Sequence, residues 1–284
     1  MKQYILFNPK AGGGTNADRF KNEAALAFDG ETEIKDMTTI GSYADFFAGI
    51  GAEDRVVVCG GDGTLNRFIN GTDGIEIKNP IMYFACGTGN DFMNDIKAKD
   101  PGPLVSFNKY MEHLPKVTVK GKTYRFLNNV GYGIDGYCTE VGDAMREAGK
   151  AKINYTAIAI KGLLGGFKRV NATICIDGMT KSYKNVWLAP SMNGRFMGGG
   201  MMAAPSQDRL NPEHKVTVMV MYCPRKLKTL MVFPSIFKGE HIKHTEMVEE
   251  FKGKDITVKF DIPTALQVDG ETIKGVTEYH VTAG

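Results

Sequence analysis

Apolar positions in the first part of the chain fall into two interleaved rhythms. Tyr4-Ile5-Leu6-Phe7 and Val56-Val57-Val58-Cys59 are short unbroken runs, closed by Asn8-Pro9 and Gly60-Gly61, as expected of strands buried on both faces. Residues 32–37 and 81–84 read as two further strands. Residues 16–28 carry Ala17, Phe20, Ala24 and Leu26 at helical spacing, Ser42 is placed to cap a helix over 42–50, and 65–70 gives a third helix. Strand, turn and helix in repetition predict parallel strands with right-handed crossovers.

Beyond residue 115 the period shortens to two. Segments 117–119, 123–130, 171–176, 183–188, 216–222 and 256–260 are β-branched and alternating, and Asp177-Gly178 stands between two of them as a hairpin signal. Helical stretches are expected over 139–164 and 226–237. This pattern predicts an antiparallel sheet or sandwich. The expected organisation is an α/β domain over 1–115 and a β domain over 116–284, with a cleft between them.

Composition narrows the function classes. With 284 residues, 43% hydrophobic and 24% charged, the chain has enough apolar surface to fold, which excludes a disordered polymer. Lys+Arg 35 against Asp+Glu 32 is too even for a dedicated nucleic-acid binder. The five cysteines never form a CxxC pair, so neither zinc ligation nor a secreted disulfide framework is expected. The apolar run at the N-terminus has four residues, against about 7–15 in a signal peptide, and no run approaches the ~18–20 of a spanning helix. A soluble, cytoplasmic protein is expected.

The chemistry lies in the turns. Gly60-Gly61-Asp62-Gly63-Thr64-Leu65-Asn66 follows a buried strand, and its three glycines suit positive φ and close approach of backbone N–H groups to an anion. A helix starting at Leu65 would turn its positive end to the same place. Asp62 repels phosphate unless a cation intervenes, so it points either to Mg²⁺–nucleotide or to a proton acceptor; the bland reading is a helix cap. Asn8-Pro9-Lys10-Ala11-Gly12 and Gly87-Thr88-Gly89-Asn90-Asp91 also follow strands, and in open α/β sheets ligands bind at the carboxyl ends. Gly131-Tyr132-Gly133-Ile134-Asp135-Gly136 matches a dinucleotide fingerprint. The acidic residue due about 20 positions on is replaced by Tyr155 and Thr156, so backbone packing is the favoured reading.

Taken with Gly198-Gly199-Gly200, Ala204-Pro205 and Gln267-Val268-Asp269-Gly270-Glu271, these motifs resemble the diacylglycerol kinase catalytic domain of bacterial soluble lipid kinases, from about residue 5 to 273. The fold class so implied is an α/β domain with a parallel sheet, of phosphofructokinase and NAD kinase type, plus a mostly antiparallel β-sandwich completing the lipid-substrate cleft. The resemblance implies ATP contacts at Asn8, Pro9, Lys10, Ala11, Gly12, Thr38, Gly60, Gly61, Asp62, Gly63, Thr64, Leu65, Asn66, Gly87 and Thr88. It also implies a proton acceptor at Glu271 or Asp269, catalytic involvement of Asp62, and Mg²⁺ accompanying ATP. The family's aspartate-rich metal segment aligns with residues 206–215, where Asp208, Asn211 and Glu213 are the candidate ligands and Lys215 takes the place of the last aspartate. A lysine there is at odds with Mg²⁺.

The expected activity is transfer of the γ-phosphoryl of ATP to a hydroxyl of diacylglycerol or a related membrane lipid. Alternatives are an NAD kinase-like enzyme with a soluble substrate and a non-catalytic lipid or nucleotide sensor. The partner is a membrane lipid met by peripheral contact at the inner membrane face, with no nucleic acid; a homodimer is one open form. Residues 224–244 interleave Arg225, Lys226, Lys228, Lys238 and Lys243 with apolar residues, as a bilayer-facing segment or as a packed helix with a solvated basic side. The apolar cluster at 192–202 suits either acyl-chain contact or core packing, and the histidines show no metal-ligand spacing.

Overall fold

The computed structural model describes residues 1–9, 30–86, 90–97, 104–150 and 153–284. The helix expected over 16–28 and the turn residues Lys10, Ala11, Gly12, Gly87 and Thr88 lie outside the described residues. By internal packing the chain divides into a first unit, Met1–Glu112, and a second, His113–Gly284.

Among the described residues the first unit holds a five-stranded sheet of β1 (Gln3–Phe7), β2 (Thr32–Asp36), β3 (Arg55–Gly60), β4 (Ile81–Ala85) and β5 (Leu104–Ser106), in the order β2-β1-β3-β4-β5. The first four are parallel, as the alternation predicts, and β5 closes the edge antiparallel to β4. Val56, Val57 and Val58 are fully buried, which is why this run carries no polar alternation. Helix α1 (Tyr43–Ala48) begins where expected, with the Ser42 hydroxyl accepting from the Asp45 amide at 3.2 Å. Helix α2 (Asp62–Gly71) starts three residues before Leu65: Gly61 is its N-cap, so the Asp-Gly-Thr read as a turn is its first turn. Short α3 (Asp91–Ile96) and α4 (Asn108–Met111) complete the described helices of this unit.

Among the described residues the second unit holds ten strands: β6 (Lys116–Val119), β7 (Lys122–Arg125), β8 (Asn129–Tyr132), β9 (Val170–Ile176), β10 (Met179–Leu188), β11 (Ser191–Met192), β12 (Val216–Tyr222), β13 (Val248–Gly253), β14 (Asp255–Val268) and β15 (Glu271–Thr282). Every pairing between them is antiparallel. Strand β14 pairs with β9 through Ile256–Phe260 and with β8 through Leu266–Val268, closing a circuit β14-β8-β11-β12-β10-β9 around an apolar core. The change of partner falls at an irregularity containing Pro263, which has no N–H to donate. Tyr132 stacks on Phe260 at 3.7 Å inside the circuit.

Three hairpins turn on two residues with positive φ: Lys120-Gly121 (49° and 74°), Asp177-Gly178 (49° and 83°) and Asp269-Gly270 (45° and 97°). That is the mirror-image turn which matches strand twist. The expected strand 123–130 is broken into β7 and β8, because the Asp269 carboxylate takes the amides between them. The expected helix 139–164 is instead α5 (Ile134–Glu147), α6 (Tyr155–Lys161) and a π turn (Gly162–Gly166), with Gly133 at φ 96° as the N-cap of α5. Helix α7 (Lys226–Val232) passes into a 3₁₀ segment (Phe233–Lys238) at Pro234.

Candidate functional site

Parallel register brings four turns to one edge. Phe7 lies opposite Asp36 and Cys59, and Gly60 opposite Ala85, so Asn8-Pro9, the segment Met37–Thr39, Gly60-Gly61 with the start of α2, and Cys86 all leave the sheet at its carboxyl edge. The Gly60 carbonyl accepts from the Cys86 amide at 2.9 Å and from the Tyr83 hydroxyl at 3.0 Å, which fixes where β3 ends.

Asp62 connects two of the predicted motifs. One carboxylate oxygen accepts from the Asp91 amide at 2.8 Å and the other from the Phe92 amide at 3.1 Å. The side chain on the first turn of α2 thus satisfies the orphan amides that open α3, where a negative charge is also favoured by the peptide dipoles. The motif at 60–66 and the one ending at Asn90-Asp91 are tied into one structure.

The glycines act otherwise than expected. Gly60, Gly61 and Gly63 all have negative φ, so the reading that they supply positive φ is corrected. Gly60 is small because Thr64 covers it: a Cβ there would lie 2.2 Å from the Thr64 hydroxyl oxygen. Gly63 is exposed with open space around a would-be Cβ. Thr64 and Leu65 are buried, so Leu65 serves the core and has no side-chain atom to offer a ligand. Asn66 is half-buried, and its carbonyl accepts from Asn70 at 3.0 Å. Thr38 is half-buried and already donates its hydroxyl and its amide to one Asp36 oxygen, both at 2.7 Å.

In the second unit the two candidate acids part company. The Asp269 carboxylate accepts three backbone amides, from Leu127 at 2.5 Å, Asn128 at 2.8 Å and Asn129 at 3.0 Å, and only 7% of the residue is exposed. Glu271, the first residue of β15, is exposed. Gly198, Gly199 and Gly200 all have positive φ, at 61°, 80° and 121°, in a loop closed by reciprocal Met197–Met201 backbone bonds of 2.9 and 3.0 Å. In the fingerprint-like motif, a Cβ on Gly131 would meet an Asp135 oxygen at 1.6 Å and one on Gly136 the Ala265 carbonyl at 2.0 Å. Those glycines let α5 press against β14, in keeping with the packing reading.

The segment carrying Asp208, Asn211 and Glu213 does not fit a cation. The Asn211 side-chain oxygen accepts the Lys215 amide at 2.8 Å, while its nitrogen donates to the carbonyls of Asp208 and Lys215 at 2.7 and 3.0 Å. Glu213 pairs with the Lys215 ammonium at 3.2 Å, and the Leu210 amide donates to Asp208 at 3.1 Å. Gln207 donates to the Lys215 carbonyl at 3.0 Å. Amide side chains and one ion pair hold this loop together, and no cluster of three acidic, histidine or cysteine residues able to hold a metal exists among the described residues. The buried His241 bonds the Ala203 carbonyl at 3.1 Å, and burial lowers its pKa to about 4.

Comparison with known proteins follows the same division. A family model for the diacylglycerol kinase catalytic domain matches residues 2–119, and one for the YegS C-terminal NAD kinase beta sandwich-like domain matches residues 128–281. The chain is 27% identical over 244 residues to the Bacillus subtilis protein named "Putative lipid kinase YtlR", covering 81% of this chain and 77% of that one. It is 23% identical over 201 residues to a Mycobacterium tuberculosis protein named "Diacylglycerol kinase", covering 68% and 63%. The crystal structure of a diacylglycerol kinase from Bacillus anthracis superposes with a TM-score of 0.67 at 21% identity, over 99% of this chain and 93% of that one, which is a likeness of fold. With both of its units matched, the chain belongs to the diacylglycerol kinase catalytic-domain family of lipid kinases.

Proposed function

We propose that this protein transfers the γ-phosphoryl group of ATP to a hydroxyl of diacylglycerol or a closely related membrane lipid. The observation that supports this most is the Asp62 tie, which joins the glycine motif at the carboxyl edge of a parallel sheet to the amides of Asp91 and Phe92. Asn8, Pro9, Lys10, Ala11, Gly12, Thr38, Gly60, Gly61, Gly63, Thr64, Asn66, Gly87 and Thr88 are the proposed nucleotide-holding positions, with backbone groups carrying most of the contact. Leu65 contributes backbone alone, since its side chain is buried. Bound Mg²⁺–ATP supplies the phosphoryl group and the cation that offsets its charge.

Glu271 takes the proton of the attacking alcohol. An alcohol is a poor nucleophile at neutral pH, and a carboxylate within about 2.6–3.2 Å accepts its proton as the new bond forms. Asp269 is less suited, because its lone pairs already hold three amides and its burial restricts approach. Asp62 supports the nucleotide-holding turns through its bonds to α3 rather than by taking a proton.

The lipid acceptor implies a membrane-facing surface. Leu227 and Met231, four residues apart on α7, are 77% and 82% exposed, and Leu164 on the π turn beside α7 is 61% exposed. Lys161 and Lys168 flank the π turn in sequence, Arg225 and Lys226 open α7, and all four are exposed. This face suits peripheral contact with anionic lipid. Among the described residues no helix is long and apolar enough to cross a membrane.

The test is incubation of the protein with radiolabelled ATP, Mg²⁺ and phosphatidylglycerol vesicles containing diacylglycerol, with NAD in a parallel reaction. Label in the lipid phase is expected. Label in NAD, or none in either, would overturn the reading.

A further inference from the structure

The motif at 131–136 has no part in the nucleotide reading, yet it is built with unusual care around one carboxylate. Asp135, in the first turn of α5, is 6% exposed. Its Oδ2 accepts from the Gln267 side-chain nitrogen at 2.7 Å, and the Gln267 side-chain oxygen accepts from the Gly270 amide at 2.5 Å. Gln267 is itself buried at 3% exposure and pairs with Thr272 across the hairpin. The bond therefore runs from α5 into the turn whose next residue is Glu271.

Both ends of this connection are pinned. Gly131 must lack a Cβ, which would lie 1.6 Å from Asp135 Oδ2 and 2.6 Å from Gln267 Nε2, so the glycine makes room for the pair. Gly136 admits the Ala265 carbonyl, and Gly133 approaches the Trp187 carbonyl to 2.5 Å at its own would-be Cβ. On the far side of the turn, Asp269 is anchored by the amides of 127–129. Leaving a buried carboxylate with amide partners instead of a cation is costly, and burial pushes the Asp135 carboxyl up to about 6. An apolar residue would pack α5 on β14 without that cost, so packing alone does not account for an acid here.

We propose that Asp135 is a positioning residue: acting through Gln267, it fixes the Asp269-Gly270 turn and with it the direction in which Glu271 is presented. This deepens the kinase reading and rests on it for the role of Glu271, whereas the Asp135–Gln267–Gly270 chain stands on geometry alone. Gln267 is suited to the middle position because one amide group both donates and accepts. A carboxylate at 135 has no hydrogen to offer the Gln267 oxygen, which is left to the Gly270 amide, and Asn can still accept in its place.

The proposal is tested by hydrogen exchange of peptides spanning 266–273, together with steady-state phosphorylation of diacylglycerol vesicles, in wild type, Asp135→Ala, Asp135→Asn and Gln267→Ala. Asp135→Ala and Gln267→Ala are expected to speed exchange of that segment and to lower kcat by about tenfold to a hundredfold with KM for ATP unchanged. Asp135→Asn is expected to recover most of both losses. The double variant Asp135→Ala/Gln267→Ala is expected to behave like either single variant, since both break one chain. Wild-type exchange and wild-type kcat in Asp135→Ala would overturn the proposal, as would an equal loss of kcat in Asp135→Asn and Asp135→Ala with exchange unaltered. Should Asp135→Ala fail to fold, Gln267→Ala with the same readouts decides. If the wild type labels no lipid, the kinase reading falls, and the exchange arm still decides whether Asp135 holds the turn.

Discussion

The carboxyl edge of the parallel sheet and the 267–271 hairpin solve the same problem in opposite ways. Each carries an aspartate inside a glycine motif, and in each the carboxylate is spent on backbone amides. Asp62 is spent on the opening amides of a neighbouring helix, a place where amides lack partners in any case. Asp269 is spent on three consecutive amides whose strand has been broken to reach it. The first tie adds a cap to structure that exists without it, whereas the second substitutes for a missing stretch of ladder. Removing the second should therefore cost more.

The largest expected stability effect follows directly. Asp269→Ala leaves three buried amides without their anion and is expected to lower unfolding stability by about 4 kcal/mol, read by urea denaturation. A loss no larger than that of Asp62→Ala would break the contrast.

Next in size is Asp135, whose carboxyl is raised by burial from 3.8 to about 6. Between those values the folded chain binds a proton that the unfolded chain does not, so this group favours folding below pH 4 and loses that contribution as pH rises past 6. Asp135→Asn is free of the effect. Relative to wild type it should gain about 3 kcal/mol between pH 4 and pH 8, measured as the difference in unfolding free energy at the two pH values. Cys138 shares this interior, but its thiol is pushed well up by burial and stays neutral over the range. A difference that does not vary with pH would mean that the carboxyl is not desolvated.

Asp62→Ala comes third, with an expected loss of about 2 kcal/mol from a two-amide cap, together with weaker ATP binding by calorimetry. The smallest effect belongs to the exposed face of α7. Replacing Leu227 and Met231 together by Asp should weaken binding to anionic vesicles by about tenfold in a sedimentation assay, with thermal stability unchanged.

Much of the first unit was legible in the sequence because its signals are local. Val56-Val57-Val58 names a buried strand that Gly60-Gly61 ends, Asn8-Pro9 ends the strand at Tyr4–Phe7, and Ser42 marks a cap, each within a few residues of its effect. The start of α2 was not legible, since glycines at 60, 61 and 63 suggest a turn, and the approach of Thr64 accounts only for the one at 60. In the second unit the hairpin at Asp177-Gly178 was plain, but the break between β7 and β8 was not. Its cause, Asp269, stands about 140 residues away, and period-two alternation carries no trace of it. A separation of 132 residues likewise hid the pairing of Asp135 with Gln267, although the sequence held a clue in a glycine motif without the acidic partner a dinucleotide needs. The site acids were named from the resemblance, and the separation of Asp269 from Glu271 came only with the hydrogen bonds.

The most direct test of the central claim is the single-turnover transfer of label from ATP to diacylglycerol by Glu271→Gln, measured beside its melting curve. Transfer slower by about a hundredfold or more is expected, on a protein that melts like wild type. Transfer at the wild-type rate would contradict it.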